Sequence, residues 1–182
     1  MDYYDIVMDS CSIPKGFERV LGFKSIFVSG RDFKLADADS GAETEGTVAF
    51  GRSNERLIHA SKHLAIAVIP LALELDRKLI ETLKDNGTAL LIPLSSIYTA
   101  GSDFALSRNM HLASKLLENA SRKRVRVGFV TMARSFVQLE SRMQLIELAK
   151  HIGANEDEAR RGVSLAGELV KGAGSGTHES QV

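Results

Sequence analysis

Short apolar segments alternate with amphipathic ones along the chain, and this pattern predicts strands and helices in turn. The apolar segments predict strands at residues 4–9, 25–28, 47–50, 64–69, 88–92 and 125–131. Amphipathic spacing predicts helices at residues 13–22, 54–62, 75–85, 136–151 and 155–170, and a further long helix through Leu106 and Leu117. Residues 31–38 are predicted to form one or two helical turns, and the acidic, Gly-containing residues 39–46 an exposed loop.

The stretch at residues 86–134 is the unit around which the rest is organised. A short apolar strand lies between Asn86-Gly87 and Pro93, and a long helix follows it. The basic turn, defined as Arg122, Lys123, Arg124 and Arg126, then leads into the next apolar strand. A strand–helix–strand unit of this length is a crossover whose two strands lie parallel in one sheet. We therefore expect function at the polar ends of these strands.

The fold class follows from strands that are apolar throughout, such as LAIAVI and TALLI. Such strands are buried on both faces, as in a parallel sheet covered by helices. A doubly wound sheet and a (β/α) barrel both satisfy this pattern, and six strands are few for a complete eight-stranded barrel. The chain has 182 residues, and we predict one domain over residues 1–170 with a disordered Gly/Ser-rich tail at 171–182.

Charge and composition narrow the function classes. The formal net charge is zero, but residues 1–100 carry −3 and residues 101–182 carry +3. This asymmetry points weakly to an anionic partner. No apolar run is long enough for a transmembrane helix, and the N-terminus lacks the pattern of a signal peptide. Cys11 is the single cysteine, which excludes an internal disulfide, so we expect a cytoplasmic protein with no membrane partner.

Catalytic motifs are missing from the sequence. It contains no GxxxxGK[ST] loop, no GxGxxG between a strand and a helix, and no GxSxG elbow around Ser95 and Ser96. His59 and His63 are four residues apart, but no carboxylate completes an HExxH motif, and a surface pair is the better interpretation. This absence favours a binding or scaffolding role with no bound cofactor.

Basic side chains follow several predicted strands, where ligands bind in α/β sheets. Arg52 and Arg56 follow one strand, Arg134 and Arg142 follow another, and polar residues including Ser95 and Ser96 follow a third. A guanidinium group donates two hydrogen bonds to a phosphate. These clusters are predicted to converge on one rim, with Arg108 and the basic turn beside it.

A succession of motifs from Thr47 to Val170 resembles the archaeal RNase P protein component 3 family, whose eukaryotic relative is the thirty-kilodalton RNase P/MRP subunit. The matching segments, in order, are VAFGRSNERLIHAS, LAIAVIP, GTALLIPLSSI, SRNMHLASKL, GFVTMARS and QLESRMQLIELAKHIGANEDEA. Their order and spacing cover about two-thirds of the chain. The chain departs from the family pattern at Leu91, Met132 and Met143, and residues 31–46 form a shortened unit.

The resemblance implies a TIM-barrel-like fold, small or incomplete, with six to seven parallel strands and C-terminal helices. It implies a noncatalytic protein subunit of ribonuclease P, the ribozyme that removes the 5′ leader of precursor tRNA. Catalysis would belong to the RNA and its Mg²⁺ ions, with no catalytic or metal-binding residue in this chain. The partners would be RNase P RNA, precursor tRNA indirectly, and a small α+β RNase P protein, in a heterodimer or heterotetramer.

The residues expected to contact RNA are basic and lie near predicted strand ends. They are Arg52, Arg56, Arg108, Arg122, Lys123, Arg124, Arg126, Arg134 and Arg142. Two alternatives stay open: a metal-dependent phosphoesterase-type barrel hydrolase, and a metal-free scaffold that binds protein alone.

Overall fold

The structure, a computed structural model, describes residues 1–8 and 10–174. Its strands are β1 (Tyr4–Val7), β2 (Ser25–Val28), β3 (Leu35–Asp37), β4 (Val48–Gly51), β5 (Ala67–Pro70), β6 (Ala89–Pro93) and β7 (Val127–Val130). Its α-helices are α1 (Phe17–Val20), α2 (Asn54–Lys62), α3 (Arg77–Asn86), α4 (Ser95–Tyr98), α5 (Asp103–Arg122), α6 (Arg142–His151) and α7 (Glu156–Gly174). Two 3₁₀ turns, Ala38–Ser40 and Phe136–Gln138, complete these elements.

All paired strands are parallel, as the apolar segments predict. Strands β3 to β7 form a five-stranded sheet in chain order, and β1 pairs with β2 in a second sheet. Successive strands in the larger sheet pair through crossovers, most of which contain a helix. The predicted α/β class with a parallel sheet is therefore confirmed.

The two sheets are joined by backbone hydrogen bonds between β1 and the residues that follow β7. The Met132 N–H donates to the Ile6 carbonyl, and the Met8 N–H donates to the Ala133 carbonyl, both at 2.9 Å. At the other side, a parallel bridge between Ser29 and Phe33 links the end of β2 to the segment before β3. The strands therefore make one connected structure.

Alternate strand residues enter two apolar clusters. Leu90 and Ile92 of β6 face an outer cluster with the helices, while Ala89 and Leu91 face an inner cluster. Every strand contributes an apolar side chain to the inner cluster, either within it or packed against it. This double burial explains why the strands are apolar throughout.

The C-terminal helix α7 belongs to both clusters. Ala159 and Val163 lie in the outer cluster, whereas Ala166 and Leu169 lie in the inner one. Its contacts with β7 and β1 are extensive, so α7 covers the junction of the two sheets.

Four predicted elements differ from the structure. The helical turns predicted at residues 31–38 are wrong, because Leu35 and Ala36 pair with β4 as an edge strand. The predicted strand 64–69 begins later, at Ala67, and Leu64 instead follows the end of α2. The predicted helix 136–151 divides into a 3₁₀ turn and α6, because Ser141 and Gln144 form a capping box at Arg142.

Helix α7 reaches Gly174, four residues into the predicted tail, and residues 175–182 lie outside the described part of the chain.

Candidate nucleic-acid interface

A concave pocket of about 530 Å³ lies at the carboxyl ends of β4 to β7, and we call it the strand-end pocket. Its walls come from the loops that follow these strands and from α5. It is lined by Met8, Arg52, Leu71, Ala72, Glu74, Pro93, Ser95, Ser96, Thr99, Arg108, Asn109, Leu112, Met132, Arg134 and Gln138. Because the strands are parallel, their carboxyl ends meet at one edge, which is where α/β proteins bind ligands.

Three arginines reach the strand-end pocket from three different elements. Arg52 follows β4, Arg108 lies in α5, and Arg134 follows β7. All three are exposed, and none joins a salt bridge among the described residues. Their guanidinium groups are therefore available to an anionic ligand.

The backbone that carries Arg52 is held by a carboxylate from a neighbouring turn. Asp39 accepts hydrogen bonds from the backbone N–H groups of Arg52 at 2.7 Å and Ser53 at 3.2 Å. The Ser53 hydroxyl in turn accepts from the Arg56 N–H at 3.4 Å and caps α2. The loop after β4 is therefore fixed before any ligand binds.

Helix α5 is fastened to the loop after β6, and this contact positions Arg108. The Asn109 side-chain amide donates to the Ser96 carbonyl at 2.6 Å. The Ser96 hydroxyl donates to the Pro93 carbonyl at 2.6 Å, which folds the loop against the strand end. At the start of α5 the Ser102 hydroxyl accepts from the Ala105 N–H at 3.2 Å.

Both backbone groups of Arg134 have side-chain partners. Its N–H donates to the Gln138 side-chain oxygen at 2.8 Å, and its carbonyl accepts from the Ser10 hydroxyl at 2.9 Å. Two residues earlier, Met132 has a φ of 53°, a left-handed conformation that costs a non-glycine residue about 1–2 kcal/mol. Such strain often accompanies functional sites.

A buried carboxylate lies behind this edge, at the junction of β1 and β7. Asp5 accepts from the Thr131 N–H at 2.7 Å, the Thr131 hydroxyl at 2.5 Å and the Ile6 N–H at 2.8 Å. Burial raises the pKa of Asp5 to about 6, although the hydrogen bonds from Thr131 oppose that rise. Asp5 is fully buried and does not line the strand-end pocket, so its role is to join the strands.

The basic turn lies at the opposite edge of the sheet from the strand-end pocket. It precedes β7, whereas Arg134 follows it. Arg122 pairs with Glu118 at 2.6 Å, Lys123 pairs with Glu81 at 3.3 Å, and Arg126 donates to the Gly87 carbonyl at 3.1 Å. The expectation that these cations adjoin Arg134 is therefore wrong, because a strand of β7's length separates them.

Arg56 and Arg142 also lie outside the strand-end pocket. Arg56 lines a separate groove of about 450 Å³ between α2 and residues 41–45, together with His59, Lys62 and His63. Arg142 packs its guanidinium carbon 4.7 Å from the centre of the Tyr3 ring, and its backbone N–H donates to the Leu21 carbonyl at 2.8 Å. One rim for all the predicted cations is thus replaced by several surfaces.

Sequence reasoning missed Glu74, Asn109 and Gln138 at the strand-end pocket. Glu74 follows β5, so the strand-end rule that selected Arg52 and Arg134 was the signal that could have found it. Asn109 and Gln138 act through backbone contacts made by the folded loops. No sequence pattern marks such contacts.

The described residues contain no group of three or more His, Cys, Asp or Glu side chains arranged to hold a metal ion. The predicted surface pair of His59 and His63 does stack, with ring centres 4.1 Å apart. In the same part of the chain, no helix has both the length and the apolar character needed to cross a membrane.

Comparisons with known proteins give likenesses of fold. No protein-family profile and no curated protein sequence matches the chain. An uncharacterised protein matches with a TM-score of 0.53 and 14% identity, over 68% of this chain and 33% of its own. Ochratoxinase from A. niger matches with a TM-score of 0.51 and 15% identity, over 68% of this chain and 29% of its own. The chain thus spans about a third of these two proteins.

A third likeness is more extensive. A chain in the cryo-EM structure of archaeal Ribonuclease P with mature tRNA matches with a TM-score of 0.65 and 11% identity. The match covers 98% of this chain and 84% of that one. At these identities each comparison shows a shared fold, and the last shows it over nearly the whole length of this chain.

Proposed function

We propose that this chain is a noncatalytic protein subunit of ribonuclease P that binds and stabilises the catalytic RNA. The observation that carries the proposal is the shared fold, over 98% of this chain, with a chain of archaeal Ribonuclease P bound to tRNA. The succession of sequence motifs from Thr47 to Val170 resembles the same family. The holoenzyme to which the chain would belong removes the 5′ leader from precursor tRNA.

We infer that the seven strands form a small, TIM-barrel-like barrel. Two kinds of contact support this inference. Hydrogen bonds join β1 to the end of β7, and the Ser29–Phe33 bridge joins the β2 and β3 sides. The inner cluster takes side chains from all seven strands, as the interior of a barrel does. Helix α7 completes the interior with Leu169 and Val170.

The chemical contribution of the chain would be electrostatic. Folded RNA crowds phosphates together, and each Lys or Arg that neutralises one releases counterions, so affinity falls as salt rises. Arg52, Arg108 and Arg134 present guanidinium groups on a fixed backbone, which reduces the ordering cost of binding. Hydrolysis itself would be catalysed by the RNA and its Mg²⁺ ions.

The proposed assembly contains further partners. RNase P RNA would be the direct ligand, precursor tRNA would be bound indirectly, and a small α+β RNase P protein would form a heterodimer or heterotetramer with this chain. This assembly would act in the cytoplasm. No contact in the chain is assigned to the protein partner.

Reconstitution tests the proposal. The rate of precursor-tRNA cleavage is measured against Mg²⁺ concentration for RNase P RNA alone and with this chain plus the small subunit. We expect the proteins to lower the Mg²⁺ concentration that gives half the maximal rate, because their cations replace part of the ion atmosphere. An unchanged Mg²⁺ requirement together with an unchanged rate contradicts the proposal.

The metal-dependent phosphoesterase-type hydrolase is the competing function. It predicts a metal ion bound in stoichiometric amount, and elemental analysis of the purified chain measures it directly. Bound metal together with phosphoesterase activity in the absence of RNA would replace the ribonuclease P proposal.

A further inference from the structure

The strand-end pocket brings three arginines from different elements together with apolar walls in one concave site. Its volume of about 530 Å³ lies in the range of small-molecule sites. Arginine side chains stand beside Leu71, Leu112 and Met132, and Met132 is buried. A nucleic-acid duplex is convex and would touch the exposed arginines without reaching these apolar walls.

The pocket also contains one carboxylate among its cations. Glu74 follows β5, between the strand that leads to Arg52 and the strand that leads to Ser95. A carboxylate repels a phosphate placed against it, but it accepts hydrogen bonds from a ribose hydroxyl or a base amine. A bare phosphate would use the arginines alone, whereas a nucleotide has partners for the arginines, the carboxylate and the apolar walls together.

We infer that the strand-end pocket binds a single unpaired nucleotide, with its phosphate on the arginines and its base against the apolar wall. The inference rests on the proposed function, which supplies RNA as the ligand and an extruded nucleotide of that RNA as the source. Proteins commonly read RNA through unpaired bases that stack on aromatic side chains or on Arg guanidinium planes, and this pocket offers the guanidinium planes. A free mononucleotide has the same chemistry and is the alternative source.

The loops around the pocket are already arranged for such a ligand. Asp39 holds the backbone at Arg52, Asn109 ties α5 to the loop after β6, and Gln138 with Ser10 holds Arg134. None of these contacts uses a guanidinium group of the three arginines. The guanidinium groups therefore keep their donors for the nucleotide.

Three RNA hairpins test the inference by fluorescence and affinity measurements. The first is fully paired, the second carries one bulged 2-aminopurine nucleotide, and the third carries an abasic bulge. We expect the bulged hairpin to bind roughly tenfold more tightly than the other two, because only this hairpin buries a base against the apolar wall. We also expect the 2-aminopurine fluorescence to change on binding. AMP and inorganic phosphate are then added as competitors.

Variants that fill the pocket without removing a cation isolate the base contact. Ala72→Leu and Thr99→Leu place a branched aliphatic side chain, which cannot stack on a base as an aromatic ring does, at the pocket wall from partly or fully exposed positions. Each is expected to abolish the preference for the bulge while leaving affinity for the paired hairpin within about twofold. Melting curves of both variants check that the fold is intact.

Each outcome assigns the result to one hypothesis. Equal affinity for all three hairpins overturns the nucleotide inference and leaves the proposed function standing. Binding to none of them, combined with no effect in the reconstitution, overturns both. Displacement by AMP at concentrations near the dissociation constant of the hairpin would assign the pocket to a free nucleotide, and equal displacement by inorganic phosphate would reduce it to a phosphate site.

Discussion

Asp5 occupies the junction between β1 and the end of β7, where its carboxylate accepts two hydrogen bonds from Thr131 and one from Ile6. A protonated carboxyl group can keep the two backbone bonds and donate to the Thr131 hydroxyl. This explains how the site tolerates a pKa raised by burial to about 6. The residue therefore connects the ionisation of one side chain to the pairing of two strands.

We predict that the free energy of unfolding falls as pH rises from about 4 to about 6. In this window the folded protein binds a proton on Asp5 that the unfolded chain, with an Asp pKa near 3.9, has already released. The pKa difference corresponds to a decrease in the free energy of unfolding on the order of 3 kcal/mol across this window. Urea denaturation of the chain between pH 4 and pH 7 measures this slope.

Asp5→Asn is the matched control for this prediction. The amide keeps the acceptor for the backbone N–H groups and donates to the Thr131 hydroxyl, so the variant should fold and should lose this part of the pH slope. Asp5→Ala leaves the Thr131 N–H without its acceptor and is expected to lower stability by about 1–3 kcal/mol. An unchanged slope in Asp5→Asn would show that other groups produce it.

The residues of the strand-end pocket were only partly predictable from the sequence. Arg52 and Arg134 follow apolar strands, and the rule that parallel strand ends share an edge is local enough to select them. The basic turn was misplaced because it precedes β7. The amino ends of the parallel strands lie at the opposite edge of the sheet from the strand-end pocket. Arg142 was misplaced because its surroundings depend on packing against Tyr3, a contact between residues far apart in sequence.

Helix α7 approaches the strands closely through two glycines. A Cβ atom at Gly162 would overlap the Phe129 ring, and one at Gly167 would overlap the Tyr4 ring. Both glycines are buried within the helix. The close approach lets one helix cover the junction of the two sheets.

We predict that Gly167→Ala destabilises the protein by about 1–3 kcal/mol, because overpacking a closed core costs that much. The sign is opposite to the change of up to about 1 kcal/mol that helix propensity alone would favour. Thermal and urea denaturation measure it. Arg161→Ala, at an exposed position of the same helix, should change stability by less than about 0.5 kcal/mol; a stabilised Gly167→Ala would contradict this packing.

At the end of helix α2 a non-glycine residue occupies a conformation that favours glycine. Leu64 has a φ of 61° and is 66% exposed, in the position after the cap where helices usually place glycine. Leu64→Gly is predicted to stabilise the protein by about 1 kcal/mol, because it removes the left-handed penalty and little buried surface. Leu64→Ala keeps the penalty and should be nearly neutral. Denaturation curves measure the stability of both variants. Equal stability of Leu64→Gly and Leu64→Ala would refute this prediction.

Elements were predictable where their signals are local. The bounds of α2 and its Ser53 cap agree with the predicted helix 54–62, because capping depends on residues within one turn. Strand β3 was missed because its three residues carry no periodicity of their own. It becomes a strand through the pairing of Leu35 with Val48. A pairing between residues this far apart cannot be predicted from the sequence of the segment alone.

At the scale of the whole molecule, most of the predicted cations divide between two edges, and Arg56 and Arg142 lie on separate surfaces. The strand-end pocket holds Arg52, Arg108 and Arg134, while the basic turn lies at the amino ends of the same strands. The strands have four or five residues, so the edges are roughly 15 Å apart. Two of the four cations of the basic turn already pair with Glu118 and Glu81, which lowers their value to a ligand.

We predict that the two edges contribute independently to RNA binding. The paired substitution Arg108→Ala with Arg134→Ala should weaken binding to RNase P RNA and make its salt dependence shallower by about one unit for each phosphate that is no longer neutralised. The paired substitution Arg124→Ala with Arg126→Ala should leave binding of the bulged hairpin within about twofold, because that ligand occupies the other edge. Filter binding at several salt concentrations measures both, and Arg19→Ala, at an exposed site on α1, is the control for loss of a positive charge elsewhere on the surface.

Combining the two pairs of substitutions decides whether the edges are coupled. Sites separated by this distance and without a common partner usually give additive free energies, within about 0.5 kcal/mol. Additive decreases in affinity for full-length RNA would mean that the RNA binds each edge separately. A combined decrease smaller than the sum would mean that one RNA element bridges both edges, and the strand-end pocket would then be part of a larger continuous surface.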